Sequence, residues 1–97
     1  TEGGLDVVAQ SRALAPIVRA LGDAGVRVSL FIEPDRRQLE VAAHLGSPVV
    51  ELHTGVYCER AAEGDDAARR RELDRIREAA RFGAEIGLEI HAGHGLN

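Results

Sequence analysis

Three short runs, residues 27–32, 48–53 and 88–91, alternate polar and apolar side chains, and each is preceded by a helical pattern. Successive side chains of an extended strand point to opposite faces. In the first run Val28, Leu30 and Ile32 share one face while Ser29, Phe31 and Glu33 share the other. Val50 and Leu52 oppose Glu51 and His53 in the second run, and Leu88 and Ile90 oppose Glu89 and His91 in the third. The order helix, strand, helix, strand, helix, strand with short connections implies parallel strands joined by right-handed crossovers. An open doubly wound sheet and a (β/α)8 barrel both accept that order. The open sheet covers both faces with helices and calls for strands that are apolar on both. One polar and one apolar face on three consecutive strands fits a barrel, whose inner wall nears an active-site mouth while its outer wall packs on helices. The expected fold class is α/β, a partial (β/α)8 TIM barrel of about three βα units, because a whole barrel takes about 250 residues and the chain has 97. Open sheet edges and a charged inner face without its far wall would leave such a piece unstable by itself.

The helices follow from period and punctuation. Over residues 9–23, Leu14, Ile17, Val18 and Leu21 recur at i, i+3, i+4, i+7, an apolar stripe ended by Gly22 and Gly25. Glu33-Pro34-Asp35 ends the first strand and opens a second helix, with Pro34 near the first turn, Leu39, Ala42, Ala43 and Leu45 as its apolar face, and Gly46 as its stop. Gly64-Asp65-Asp66 suits the N-cap of the longest helix, which carries Leu73, Ile76, Ala80 and Gly83 on one stripe and ends at Gly87. Arg69, Arg70, Arg71, Arg75 and Arg77 on that helix read as a solvated face with partners such as Glu72 and Glu78, or else as an anion-binding patch.

Composition removes several function classes. A net charge of −4, from 12 basic and 16 acidic residues, does not suit a nucleic-acid backbone. Every basic residue among those is Arg, so no Schiff-base lysine comes from this segment. The single cysteine, Cys58, excludes an internal disulfide and fits a reducing, cytoplasmic compartment; it reads as a passive thiol. No apolar run approaches the ~18 residues of a membrane span, and no signal peptide or initiator Met is present. Thr1-Glu2-Gly3-Gly4 has the style of a loop interior, so the chain is expected to be cut from something longer.

The chemistry gathers where strands meet glycine. Val50-Glu51-Leu52-His53-Thr54-Gly55 and Leu88-Glu89-Ile90-His91-Ala92-Gly93 each place a carboxylate beside an imidazole at the carboxyl end of a strand, where barrel catalysts sit. The second runs on into His94-Gly95-Leu96-Asn97, a glycine-flanked histidine whose backbone N–H groups would suit a phosphate. Three readings compete: general acid/base work by a Glu and a His, a divalent-metal site of an isomerase or endonuclease using Glu51, His53, Glu89 and His91, and mutual structural satisfaction. A fourth, a small non-enzymatic βα interaction module, requires the segment to fold alone.

Thr1-Glu2-Gly3-Gly4-Leu5-Asp6-Val7, Val28-Ser29-Leu30-Phe31-Ile32, Glu51-Leu52-His53-Thr54-Gly55 and His91-Ala92-Gly93-His94-Gly95-Leu96-Asn97 resemble, in order and spacing, the pyridoxine 5′-phosphate synthase family. The resemblance implies a single (β/α)8 domain, of which residues 1–97 would run from the loop after strand four to the loop after strand seven. It implies a cytoplasmic enzyme, a symmetric homo-oligomer (an octamer). That enzyme condenses 1-deoxy-D-xylulose 5-phosphate with 3-amino-2-oxopropyl phosphate to pyridoxine 5′-phosphate, phosphate and water, without metal or organic cofactor. By resemblance His94 is the proton donor, Gly95 contacts the amino-ketone phosphate, and Glu51 is the transition-state-stabilising carboxylate. His53, on the face of Glu51, is expected to orient or hydrogen-bond substrate, and Glu89 and His91 to take supporting or core roles. The family's other acid/base groups and its arginines for the xylulose phosphate would lie on strands one to three, so the segment alone is expected to be inactive.

Overall fold

The computed structural model describes residues 5–54, 59 and 62–93. Its elements, in chain order, are α1 (Ser11–Asp23), β1 (Ser29–Ile32), α2 (Arg36–Leu45), β2 (Val49–His53), α3 (Asp66–Glu85) and β3 (Glu89–Gly93). The strands form one parallel sheet in the order β1-β2-β3, with Phe31 opposite Glu51 and Glu51 opposite His91. Leu5 adds a parallel bridge to Ile32, its N–H donating to the Phe31 carbonyl at 2.6 Å, so the chain leading into α1 lies along the free edge of β1.

Local signals explain the boundaries. Asp35 caps α2 by accepting from the Arg37 N–H at 3.1 Å, and Asp65 caps α3 by accepting from Ala68 at 3.0 Å. Gly46, at φ 93°, ends α2 in the left-handed region that a side chain disfavours. Residues 27 and 28 precede β1 rather than joining it, and β3 runs two residues past His91 to Gly93. α1 starts at Ser11, later than the expected residue 9, behind Gln10, which offers no side-chain cap.

The apolar strand faces behave as their alternation predicts. Leu30, Ile32, Val50, Leu52 and Leu88 are buried and pack with Val18 of α1, Leu39 and Ala42 of α2, and Ala79 and Phe82 of α3. All three helices thus contribute to a core on one face of the sheet. Burying a Leu or Ile side chain contributes on the order of 1.5–3 kcal/mol, so this layer dominates the stability of the unit. At the opposite ends of β1 and β2, the buried Ser47 hydroxyl lies 3.1 Å from the Val28 carbonyl and 2.9 Å from that of Val49. It satisfies polar groups that would otherwise be stranded between the strand starts.

The stripe of α1 is only half used. Val18 is buried and Leu14 partly so, but Ile17 stays 53 % exposed and Leu21 39 %. α1 touches α2 along one flank, and that flank is narrower than the apolar arc of the helix. The arginines of α3 are a surface with short-range partners: Arg69–Asp66, Arg75–Glu72 and Arg81–Glu78 pair at i,i+3. No helix among the described residues is long and apolar enough to cross a membrane.

Candidate active site

The face of the sheet turned away from the helices carries the polar groups in layers set by the parallel register. Ser29, Val49 and Glu89 form the layer at the strand starts, Phe31, Glu51 and His91 the middle one. His53 and Gly93 form the layer at the carboxyl ends, where Glu33 follows the last residue of β1. Parallel strands rise about 3.3 Å per residue, so residues two apart on a strand stand one layer apart on the same face.

In the first layer Arg27 reaches across β2 to pair with Glu89, and Val49 between them is buried. Glu89 Oε2 also meets His91 Nε2 at 2.6 Å. The His91 ring, and then the Arg27 guanidinium, hold the Glu89 carboxyl below its ordinary value. Within this segment Glu89 and His91 are exposed on the polar face of the sheet, apart from the apolar core against the helices. Together Arg27, Ser29, Val49, Glu51, Glu89 and His91 line an open concavity of about 510 Å³.

Glu51 sits at the centre of the sheet, half-buried between Phe31 and His91. One layer on, the His53 ring is mostly enclosed; its Nδ1 approaches Glu33 Oε2 at 3.1 Å, off the alignment of a hydrogen bond. Phe31 packs edge-on against that ring, centroids 5.1 Å apart and planes at 65°. Arg75 of α3 stands 4.0 Å from Glu33 Oε1 and is itself tied to Glu72 at 3.0 Å.

Of the expected site residues, Glu51 and His53 are brought onto one face at successive layers. His94 and Gly95 lie outside the described residues; in sequence they follow Gly93, the register partner of His53. Of the four residues of the metal reading, Glu89 pairs with His91 and His53 faces Glu33 instead, and among the described residues no three His, Cys, Asp or Glu side chains converge to hold a metal ion. Sequence reasoning placed Glu33 on the polar face but used it only to end a strand. Its signal was the shared parity with Ser29 and Phe31, next to the carboxyl end of β2.

A parallel sheet with helices on one face and carboxylates and imidazoles on the other, continuing to the strands' carboxyl ends, defines a segment of a (β/α)8-barrel protein. The family model described as "Pyridoxal phosphate biosynthesis protein PdxJ" matches residues 1–97, and the chain belongs to that family. It is 64 % identical over 96 residues to a protein of Rhodospirillum rubrum named pyridoxine 5′-phosphate synthase, covering 99 % of this chain and 37 % of that one. Relatives of the same name in Jannaschia sp. (57 % over 97 residues, 100 % of this chain and 39 % of that one) and Gluconobacter oxydans (58 % over 96 residues, 99 % and 38 %) are similar. The chain spans less than two-fifths of the length of these relatives.

Proposed function

We propose that the whole protein carrying this segment is a pyridoxine 5′-phosphate synthase. It would join 1-deoxy-D-xylulose 5-phosphate to 3-amino-2-oxopropyl phosphate and release pyridoxine 5′-phosphate, phosphate and water. The observation that carries the reading is the polar face of the sheet. Glu51 and His53 stand on successive layers of β2, and in sequence the glycine-flanked His94 follows Gly93, the last residue of β3 and the register partner of His53. Family membership supports the same activity.

The chemistry asks for protons to move repeatedly near neutral pH, as the amine condenses with a ketone, water is lost and phosphate leaves. An imidazole titrates in that range and serves as donor, the role of His94. A half-buried carboxylate stabilises the cationic iminium that forms along the way, the role of Glu51. Gly95, having no side chain, lets the backbone approach the amino-ketone phosphate. His53 orients substrate from the adjoining layer. In this reading residues 1–97 are one piece of a single barrel domain, from the loop after strand four to the loop after strand seven. The piece is inactive alone, and the whole enzyme is a cytoplasmic homo-oligomer that needs no metal or organic cofactor.

The test is to mix the full-length protein with both phosphates and follow the pyridine chromophore, with and without EDTA, in the wild type and in His94→Ala. Product should form in either condition, and His94→Ala should lose on the order of 10²–10⁴-fold in rate, the contribution of a positioned acid. Absence of product from the wild type would end the proposal, and wild-type turnover in His94→Ala would remove His94 from it.

A further inference from the structure

The contacts of Glu33 reach beyond a strand terminus. β1 ends at Ile32, the register partner of Leu52, so Glu33 and His53 emerge side by side at the carboxyl ends of neighbouring strands. The two oxygens of Glu33 face different groups: Oε1 lies 4.0 Å from the Arg75 guanidinium, Oε2 lies 3.1 Å from His53 Nδ1. Arg75 is held in turn by Glu72 at 3.0 Å, so an ionic chain runs from the surface of α3 to the ring of His53. Phe31 fixes the plane of that ring from the layer below. The His53 side chain keeps 14 % of its exposure, and none of it is at Nδ1, which is sealed from solvent.

We propose that Glu33 is a positioning residue for His53: its carboxylate keeps the imidazole proton on Nδ1 and leaves Nε2 as a lone-pair acceptor one layer from Glu51. The proposal rests on the synthase reading for its catalytic consequence, but its structural core does not. A carboxylate beside one ring nitrogen selects the tautomer in which that nitrogen carries the proton. The contact is short but not aligned as a hydrogen bond, and such catalytic contacts often tighten only once substrate closes the site. Arg75 adds a second constraint. By drawing one oxygen of Glu33 toward α3, it turns the other toward the ring. In Glu33→Gln the guanidinium would attract the amide carbonyl, so the NH2 group would face Nδ1 and the proton would move to Nε2.

The experiment uses the full-length protein labelled with ¹⁵N-histidine and solid-state NMR at about pH 8.5, two units above an ordinary imidazole. A His53→Asn sample identifies the His53 resonances by difference. Wild-type His53 should show a protonated Nδ1 and a bare Nε2, and Glu33→Gln should shift the proton toward Nε2. In parallel, Glu33→Gln should lower kcat by roughly 10²-fold, the cost of a reacting group set out of line by a displaced orienting residue, with KM changed less than about threefold. A wild-type His53 protonated on Nε2 overturns the proposal without any variant, so misfolding of Glu33→Gln cannot shelter it. An unchanged tautomer in a folded Glu33→Gln, or an unchanged kcat beside a changed tautomer, overturns it equally. If the wild type makes no pyridoxine 5′-phosphate, the synthase reading falls and the tautomer measurement alone decides what Glu33 does.

Discussion

At Gly83, α3 packs against Ile90 of β3 and Leu39 of α2 with no room for a side chain, and the approach gives a signed prediction. A Cβ at Gly83 would lie 2.5 Å from Ile90 Cδ1, 3.2 Å from Ile90 Cγ1 and 3.3 Å from Leu39 Cδ2. On an exposed helix, Gly→Ala stabilises by about 1 kcal/mol through backbone entropy. Here the new methyl is driven into a packed interface, and overpacking costs about 1–3 kcal/mol. The net expectation for Gly83→Ala is therefore between neutral and roughly 2 kcal/mol destabilising. Ile90→Val removes the Cδ1 atom that stands nearest and costs about 0.5–1.5 kcal/mol by itself. In that background the closest remaining atoms are those at 3.2 and 3.3 Å, which a shift of a few tenths of an ångström relieves. Gly83→Ala should then turn neutral or stabilising. The double-mutant cycle should show a favourable coupling of about 1–2 kcal/mol. Thermal melts of the four full-length proteins at one concentration read this directly, at about 2–4 °C per kcal/mol for a chain of that size. A Gly83→Ala protein that melts higher than wild type, or a coupling indistinguishable from zero, would refute the close approach.

Two further predictions concern the frame around the site. The Asp6 carboxyl is held below its ordinary value by the Gln38 amide, which donates to it at 2.9 Å, and by the Ala9 N–H at 3.0 Å. A depressed folded value stabilises above the unfolded pKa of about 4 and is lost as pH falls through the folded value. Melting temperature should accordingly fall more steeply from pH 5 to pH 3 in wild type than in Asp6→Asn; parallel curves would contradict it. Ser47→Ala deprives the buried Val28 and Val49 carbonyls of their shared hydroxyl donor and should cost about 1–2 kcal/mol. Denaturant titration of the full-length protein measures that loss, and a midpoint equal to wild type would show the hydroxyl to be dispensable.

Period-two alternation carried most of the fold. It separated Leu30, Ile32, Val50 and Leu52 from Phe31, Glu51 and His53 correctly, because one residue of slip would have exchanged core and site wholesale. Asp65 was legible as a cap because its chemistry is local, whereas Asp35 was read only as part of the turn that opens α2 and the structure makes it that helix's cap. The stripe of Leu14, Ile17, Val18 and Leu21 located α1, but a stripe reports how a helix is coloured and not how much of it the neighbours within this segment cover, so Ile17 and Leu21 stay exposed here. Glu33 was hidden for a related reason: its contacts with His53 and Arg75 join residues 20 and 42 positions away, and no spacing rule within one strand contains them. The Arg27–Glu89 pair skips over an intervening strand and was invisible for the same cause. His94 and Gly95 were read from a motif and fall outside the described residues, so their roles rest on resemblance and on the proposal built from it.

In the proposed synthase the two Glu-x-His strands are unequal: Glu51 would stand in the reacting layer, while Glu89 is tied to Arg27 and His91 at the strand starts. The most direct measurement is kcat for pyridoxine 5′-phosphate formation by full-length Glu51→Gln and Glu89→Gln, each beside wild type. Loss of a carboxylate that stabilises developing charge should cost Glu51→Gln on the order of 10²–10³-fold, while Glu89→Gln stays within a few-fold of wild type. Equal losses, or a larger loss in Glu89→Gln, would contradict the account.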